Sequence, residues 1–245
     1  RLVFPDDVIK RVNHAHIPTM KETMNRRQFI CAAAGSSVLA LSGCTTATKT
    51  GQLDEKPSPD PRLSNVRVMY GPMPDERFPL PAIDIDKVPS KFWRRQVDLT
   101  SPYPVGTVIV NTKTYFLHLI QENGKAMRYG VGLGRQGFEW SGEGVIQWKQ
   151  AWPKWTPPEE MIARQPELAK WSASNGGMPP GLNNPLGARA LYIFQNGVDT
   201  LYRIHGSPEY WTIGKSVSSG CVRMINQDVV DLYGRVTSGA RLIVI

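Results

Sequence analysis

The sequence predicts a mainly β domain over residues 105–245, a sandwich or half-barrel with two or three short helices, preceded by an extended arm. Short apolar runs of strand length recur through this region, and the turn dipeptides Asn123-Gly124 and Asn196-Gly197 join two pairs of them, as in hairpins. The chain of 245 residues contains 22 Gly and 20 Pro, which argues for many turns and against a helix bundle. With 41% apolar residues, it can form a packed core.

The predicted elements follow one another closely along this domain. Strands are expected at 106–110, 115–120, 125–131, 145–148, 188–194, 200–205 and 241–245. A capping box with proline at the first helical position occupies residues 156–159, and it predicts a short helix that ends by Pro166. Asn226 can cap a second helix over 227–236.

Residues 63–104 are interpreted as an extended arm that packs on the domain and has little regular structure. The segment is rich in proline, yet it contains more large apolar side chains than a solvated linker carries. These side chains are Val66, Val68, Met69, Tyr70, Phe78, Ile83, Ile85, Phe92 and Trp93. Residues 44–62 are rich in Thr, Lys, Asp and Pro, and they predict a flexible tether before the arm.

Residues 24–43 have the pattern of an export signal. Arg26-Arg27 precedes an apolar stretch over 29–41, which is too short to span a bilayer and suits a secretory signal. The arginine pair resembles a twin-arginine signal. Residues 1–23 come before this signal, and we expect them to be an extension without structure.

The end of the signal resembles a bacterial lipobox. Leu41-Ser42-Gly43-Cys44 has the required pattern, in which cleavage leaves Cys44 as a lipidated N-terminus. The alternative is an ordinary signal that is cut near Ala47. We therefore expect a protein of the periplasm or cell envelope, held to a membrane through a lipid anchor on Cys44.

Neither the charge nor a glycine motif indicates a nucleotide or nucleic-acid ligand. The formal net charge of +8 suits an anionic partner, but no block of Lys and Arg follows the signal, so we expect no nucleic-acid partner. Residues 132–137 match G-x-G-x-x-G after a predicted strand. A dinucleotide site also needs a helix that opens at the last glycine, whereas a loop-like sequence follows here. The glycines are interpreted as turn residues.

Cys221 and His205 are the strongest candidates for catalytic residues. If export removes Cys31 and acylates Cys44, Cys221 is the only thiol left and has no disulfide partner within the chain. The alternative is a buried cysteine that packs as a small hydrophobic residue. A thiol with its ordinary pKa of about 8.5 is mostly protonated at neutral pH, so a nucleophilic Cys221 needs a base or a cation nearby. His205 ends a predicted strand and can act as that base, whereas His118 is interpreted as a packing or surface residue.

The residues around Cys221 suggest further contacts with a substrate. Arg223 can lower the thiol pKa or hold a substrate carboxylate, and the alternative is a surface ion pair. The backbone N–H groups of Ser219, Gly220 and Cys221 can form an oxyanion hole, because glycine permits the turn that this needs. Ser218 and Ser219 either form the turn or contact the substrate.

These residues resemble the motif of the L,D-transpeptidase family, which has the YkuD-type catalytic domain. That motif runs from His-Gly to Ser/Thr-x-Gly-Cys, then an apolar residue and Arg or Asn; here it is His205-Gly206 and 218–223. Residues 184–187 and the strand at 106–110 also resemble the family, and the resemblance covers about 104–245. Many members have histidine where this chain has Ser219.

The resemblance implies a fold, a reaction and roles for the residues. Cys221 would attack the carbonyl of the third residue of a peptidoglycan tetrapeptide stem, release D-Ala and form a thioester, which an amine would then resolve. His205 would serve as general base and acid, and Gly206 would allow close approach of the substrate backbone. The fold would be a β-sandwich with the site at one open end, and neither a metal nor an organic cofactor would be needed.

Several alternatives remain open at this point. If water resolves the thioester, the protein is an L,D-carboxypeptidase or a cross-link-cleaving amidase. A non-catalytic wall-binding lipoprotein and a cysteine protease acting on proteins are further alternatives. Four tryptophans either line the cleft or pack as part of an insertion: Trp148, Trp152, Trp155 and Trp171.

Overall fold

The computed structural model describes residues 61–134, 141–218 and 220–245. Its helices are α1 (Pro61–Met69), α2 (Glu159–Arg164) and α3 (Asn226–Arg235). Its strands are β1 (Arg95–Asp98), β2 (Val108–Asn111), β3 (Phe116–Ile120), β4 (Lys125–Gly130), β5 (Leu133–Gly134), β6 (Gly142–Ala151), β7 (Arg189–Gln195), β8 (Val198–Ser207), β9 (Ser216–Ser218), β10 (Val222–Ile225) and β11 (Ala240–Val244). Within these ranges, none of the helices has the length and apolar character needed to cross a bilayer.

Nine strands form one sheet in the order β1-β4-β3-β2-β11-β6-β7-β8-β10, and β5 pairs with β9 in a separate two-stranded sheet. Within the large sheet, β10 is parallel to β8 and β11 is parallel to β2, whereas the other neighbours are antiparallel. Both predicted hairpins are present, with Asn123 and Asn196 at φ values of 59° and 51°. The prediction of a mainly β fold with few short helices is confirmed.

One hydrophobic core joins the two ends of the large sheet. Leu117 of β3 and Tyr129 of β4 belong to the same buried cluster as Ile204 of β8 and Leu232 of α3. Between the segment that follows β4 and strand β10, paired backbone hydrogen bonds join Gly132 to Arg223 at 2.9 and 2.8 Å. The sheet therefore curves until its ends face each other across the core, as in a sandwich.

The arm has more regular structure than the sequence predicted. Residues 61 and 62, expected in the tether, belong to α1, and the arm also contains β1 and two 3₁₀ turns, Ile85–Lys87 and Ser90–Phe92. Strand β1 pairs with β4 and forms one edge of the large sheet. The residues of β1 are mostly exposed, so backbone pairing rather than an apolar pattern defines this strand.

Polar contacts connect the arm to α3. The Tyr70 hydroxyl donates to the buried carboxylate of Asp228 at 3.1 Å and accepts from the Arg94 backbone N–H at 2.7 Å. The Arg94 guanidinium lies 3.1 Å from Asp231, and Gln227 donates to the Gly71 carbonyl at 3.2 Å. Burial raises the pKa of Asp228 to about 7. Because α3 directly follows β10, these contacts brace the strand that comes after Cys221.

Several local predictions need correction. Strand β6 is longer than the predicted 145–148, because it pairs with both β7 and β11. Helix α2 begins at Glu159, but no side chain caps it, so the predicted capping box is absent. Of the G-x-G-x-x-G segment, Leu133 and Gly134 form β5, and 135–140 lie outside the described residues. The short strands β9 and β10 on either side of Cys221 were not predicted.

Candidate active site

Strands β8 and β10 place Cys221 and His205 on the same face of the sheet. In their parallel register, Val222 pairs with Ile204 and Arg223 pairs with His205, so Cys221 lies beside Arg203. Ile204 and Val222 are both fully buried in the core. Because side chains alternate along a strand, the opposite face carries the residues at 203, 205, 221 and 223. His205 is therefore one strand spacing, about 4.8 Å, across from Cys221 and two residues further along.

Gly220 allows the chain to bend immediately before Cys221. Its φ of +126° lies in a region that residues with a side chain rarely adopt. A Cβ atom at this position would also lie 2.8 Å from the ring of Tyr202. Of the other predicted substrate contacts, Ser218 ends β9 beside Gly134, and its side chain is not among those described. Ser219, one of the three residues of the predicted oxyanion hole, lies outside the described residues.

His205 is neutral over most of the pH range in this environment. The residue is only 4% exposed, and burial lowers its pKa to about 4, with a smaller contribution from the positive charges of Arg223 and Arg203. Hydrogen bonds to the backbone at Gly206 and Pro185 act in the opposite direction. The Nδ1 atom lies 2.6 Å from the Gly206 carbonyl oxygen, which can only accept, so this bond places the ring proton on Nδ1.

The Cys221 thiol is partly buried and is also neutral at rest. Burial raises its pKa above the ordinary value. A hydrogen bond from the Arg203 backbone and the charges of Arg203 and Arg223 favour the thiolate, but they are weaker than the effect of burial. The sequence suggested that Arg223 lowers the pKa of the thiol; the structure contains this effect, but the net shift is upward.

Arg223 forms an ion pair, as one of the two sequence interpretations expected. Its Nη1 atom lies 2.7 Å from Glu209 Oε2, and the arginine side chain is 19% exposed. Glu209 comes just after β8, before the 3₁₀ turn Tyr210–Thr212. Sequence reasoning missed Glu209 because an isolated acidic residue in a loop carries no motif.

Gly206 has a structural reason to be glycine. A Cβ atom there would lie 2.2 Å from Asn226 Oδ1 and 3.0 Å from Val229 Cγ1. The sequence predicted that the Asn226 side chain caps α3, but no side chain caps this helix. Instead, Asn226 Oδ1 accepts from the Ala188 backbone N–H at 3.0 Å. Gly187 is equally constrained, because its Cβ would lie 2.6 Å from the Gly206 carbonyl carbon. The backbones at Gly187 and Gly206 thus approach each other closely at the Asn226 side chain, directly beside His205.

The close approach at Gly187 predicts a large loss of stability on substitution. Gly187 has φ +59°, so Gly187→Ala adds backbone strain to the clash with Gly206, and we expect it to lower the free energy of unfolding by about 4 kcal/mol. Gly197→Ala is the matched control, because Gly197 has φ +76° with nothing within 4 Å, and should cost about 1–2 kcal/mol. Denaturant unfolding measures both, and equal losses would contradict the close approach.

The four tryptophans have different environments. Trp152 is 4% exposed, donates to Glu76 at 2.9 Å and packs edge-on against Phe78, so it has a structural role. Trp155 and Trp171 are half-buried in the segment between β6 and β7. Trp148 is 41% exposed and lies on the same sheet face as Cys221.

A separate groove of about 680 Å³ lies where the arm meets the domain. Its polar lining includes four lysines, Lys87, Lys91, Lys113 and Lys215. Neither Cys221 nor His205 lines it, so the candidate active site is the sheet face at β8 and β10 rather than this groove. In the described residues, no group of three or more His, Cys, Asp or Glu side chains is arranged to hold a metal ion.

Comparison with known proteins identifies the domain. YkuD, the L,D-transpeptidase catalytic domain, matches residues 106–245. The probable L,D-transpeptidase YbiS of Escherichia coli (strain K12) is 35% identical over 116 residues, which are 46% of this chain and 35% of that protein. The probable L,D-transpeptidase ErfK/SrfK of the same strain is 30% identical over 141 residues, 56% of this chain and 43% of that protein. The chain thus spans less than half the length of these relatives.

A solved structure also resembles the chain. The crystal structure of a probable carnitine operon oxidoreductase caia from Brucella melitensis is 44% identical. It covers 66% of this chain and 99% of its own, with a TM-score of 0.45. A TM-score below 0.5 is too low to support any conclusion about the activity of this chain. The match over 106–245 includes both strands that carry His205 and Cys221, and by this match the chain belongs to the YkuD family of L,D-transpeptidase catalytic domains.

Proposed function

We propose that this protein is a peptidoglycan L,D-transpeptidase that uses Cys221 as its nucleophile. The donor is a tetrapeptide stem whose third residue is meso-diaminopimelate, and D-Ala is the leaving group. The acyl group passes to an amine, which gives either a 3–3 cross-link or an attached protein. The observation that carries this proposal is the register of β8 and β10, which places Cys221 and His205 on one face of neighbouring strands within a YkuD domain.

The pKa shifts favour general base catalysis over a thiolate that exists before the substrate binds. Burial lowers the pKa of His205 to about 4 and raises the pKa of the Cys221 thiol. The imidazole and the thiol are therefore both neutral at neutral pH. His205 takes the thiol proton as Sγ bonds to the carbonyl carbon, and gives it to the amine as the C–N bond to D-Ala breaks. The backbone carbonyls at Gly206 and Pro185 stabilise the imidazolium in between.

The remaining predicted residues bind the donor or stabilise charge in this proposal. Backbone N–H groups of Ser219, Gly220 and Cys221 stabilise the oxyanion, and the φ of Gly220 supports the turn that this requires. Arg223 and Arg203 contribute positive charge near the thiol, and Arg223 is held by Glu209. Ser218 contacts the donor stem.

The sequence outside the described residues supports a location in the periplasm or cell envelope. Residues 24–43 provide the export signal, and Cys44 carries the lipid that holds the protein to a membrane. The tether over 44–62 and the arm over 63–104 connect this anchor to the catalytic domain over 105–245. Peptidoglycan stem peptides are the partners of that domain.

Product analysis tests the proposal and separates it from hydrolysis. The purified chain is incubated with a disaccharide tetrapeptide, and the products are followed by mass spectrometry. A cross-linked dimer with release of D-Ala is the expected result. Tripeptide without dimer would indicate an L,D-carboxypeptidase or amidase, because water would then be the acceptor. Absence of both products, together with an intact fold, would favour a non-catalytic wall-binding protein.

A further inference from the structure

A row of four residues crosses the sheet from Cys221 to Trp148. Trp148 of β6 pairs with Tyr192 of β7, Tyr192 pairs with Arg203 of β8, and Cys221 lies beside Arg203 at the start of β10. Residues in register on neighbouring strands project from the same face. Trp148 therefore lies on the face of the nucleophile, three strand spacings or about 14 Å away from it.

The side chains of this row form a rigid stack. The Trp148 and Tyr192 rings are parallel within 10°, with centroids 3.6 Å apart. The Arg203 guanidinium lies 4.3 Å from the Tyr192 centroid, and Asp199 holds it through two contacts of 2.6 and 2.8 Å. Because Arg203 is fully engaged, it positions the rings and is not available for a substrate carboxylate. Rings that are ordered in advance lose little conformational entropy when a ligand binds.

The stack ends in an exposed indole where β6 extends beyond its neighbour β11. Trp148 is 41% exposed, and among the described aromatic side chains of this domain only Trp211, at 45%, is also exposed. Strand β11, the other neighbour of β6, begins at Ala240 opposite Ile146, so it does not extend as far as Trp148. One face of the indole is therefore covered by Tyr192, and among the residues that the structure describes no strand lies next to the other face.

The distance along the row matches the structure of the donor. The acylated carbonyl belongs to the third stem residue, and the first stem residue is joined to an N-acetyl amino sugar of the glycan strand. Three extended residues span about 10–11 Å, and the γ-linked glutamate and the lactyl group lengthen that link. A stem that crosses the sheet from Cys221 thus brings its sugar ring to Trp148. The C–H bonds on one face of a pyranose ring are attracted to the negative face of an indole.

We propose that Trp148, held by Tyr192 and Arg203, is a binding subsite for the amino sugar that carries the donor stem. This inference rests on the proposed function, because it takes the donor to be a peptidoglycan stem. It assigns a substrate preference to the site: donors that are still attached to sugar bind better than free peptides. Trp148 acts on binding and not on the chemical step, since it lies far from the reacting atoms.

Equilibrium binding to the unreactive full chain tests the subsite. In Cys221→Ala, isothermal titration compares a disaccharide tetrapeptide with the same tetrapeptide without sugar. We expect the sugar-bearing donor to bind about tenfold more tightly, a difference of about 1.4 kcal/mol. Adding Trp148→Ala should remove this difference and leave the Kd of the free peptide unchanged, whereas Trp148→Phe should keep part of it. Trp211→Ala is the matched control, because Trp211 is 45% exposed but lies outside the row.

Equal Kd values for the two donors in Cys221→Ala would overturn the inference, whether or not the Trp148 variants fold. A similar weakening of both donors by Trp148→Ala would also overturn it, because that would indicate a peptide contact or a structural defect. Release of D-Ala by the chain with Cys221 intact is a separate measurement. Failure of that reaction would contradict the proposed function, and loss of the sugar preference would contradict only the subsite.

Discussion

Replacing Cys221 with alanine is expected to reduce acyl transfer by a factor on the order of 10⁶, because the described part of the chain then contains no thiol that can form the thioester. The reaction joins Sγ to the donor carbonyl, so the acyl-enzyme has the mass of the protein plus the donor minus D-Ala. Intact-mass measurement detects this species directly after mixing with a donor whose diaminopimelate side-chain amine is acetylated, so that no acceptor amine is present. We expect it in the native chain and not in Cys221→Ala.

A neighbouring hydroxyl provides the control for this experiment. Ser216 of β9 lies close in sequence to Cys221, and its hydroxyl is 2.8 Å from the Tyr115 hydroxyl. Ser216→Ala should keep the mass adduct, because its hydroxyl has no role as nucleophile in the proposed reaction. An adduct that persists in Cys221→Ala and disappears in Ser216→Ala would reverse the assignment. Thermal unfolding of both variants shows whether the fold is preserved.

The sequence predicted the main strands and both hairpins because these carry local signals. Asn123 and Asn196 adopt the positive φ that their turns need, and the apolar runs on either side of each turn are strands. Cys221 and His205 are indicated by their chemistry and by the resemblance of their surroundings to the L,D-transpeptidase motif. Their placement on one face depends on the pairing of β8 with β10, which joins segments distant in sequence.

Other features have no local signal in the sequence. Strand β1 exists because its backbone pairs with β4, although only Val97 of its side chains is half-buried. The direction of the thiol pKa shift depends on burial, and burial depends on how β10 packs beside β8. In the sequence, Arg223 is a residue that can lower the thiol pKa, hold a substrate carboxylate or form a surface ion pair. Desolvation, which no motif encodes, is the larger effect here.

The raised thiol pKa changes how alkylation experiments are interpreted. Alkylation only above about pH 8.5 is the behaviour of a thiol with its ordinary pKa, as expected of a non-catalytic protein. Because burial raises the pKa of Cys221, slow alkylation at neutral pH is expected of the resting enzyme as well. The dependence of the reaction on His205 is therefore the more decisive observation.

His205→Gln is expected to lower kcat/KM by about 10²–10⁴-fold and to change the pH profile. In the native chain, kcat/KM should be level at neutral pH and fall as pH drops through about 4, where the imidazole takes up a proton and can no longer accept one. The groups facing His205 are Arg203 and Arg223, the latter paired with Glu209, and their positive charges oppose this protonation. In His205→Gln the fall near pH 4 should be absent, and the remaining rate should rise with pH as the thiolate forms.

His118→Gln is the matched control for this profile. Burial also lowers the pKa of His118, but the residue lies on β3, with β2, β11, β6 and β7 between it and β8. This variant should keep both the rate and the fall near pH 4. Because the pKa of His205 is below the value of about 6.5 in an unfolded chain, the contribution of His205 to folding stability decreases as pH falls from 6.5 to 4. Asp228, whose pKa burial raises to about 7, contributes in the opposite direction. Circular dichroism at each pH shows whether the chain is still folded where kcat/KM falls. A fall in kcat/KM near pH 6.5, or an unchanged profile in His205→Gln, would mean that another group accepts the thiol proton.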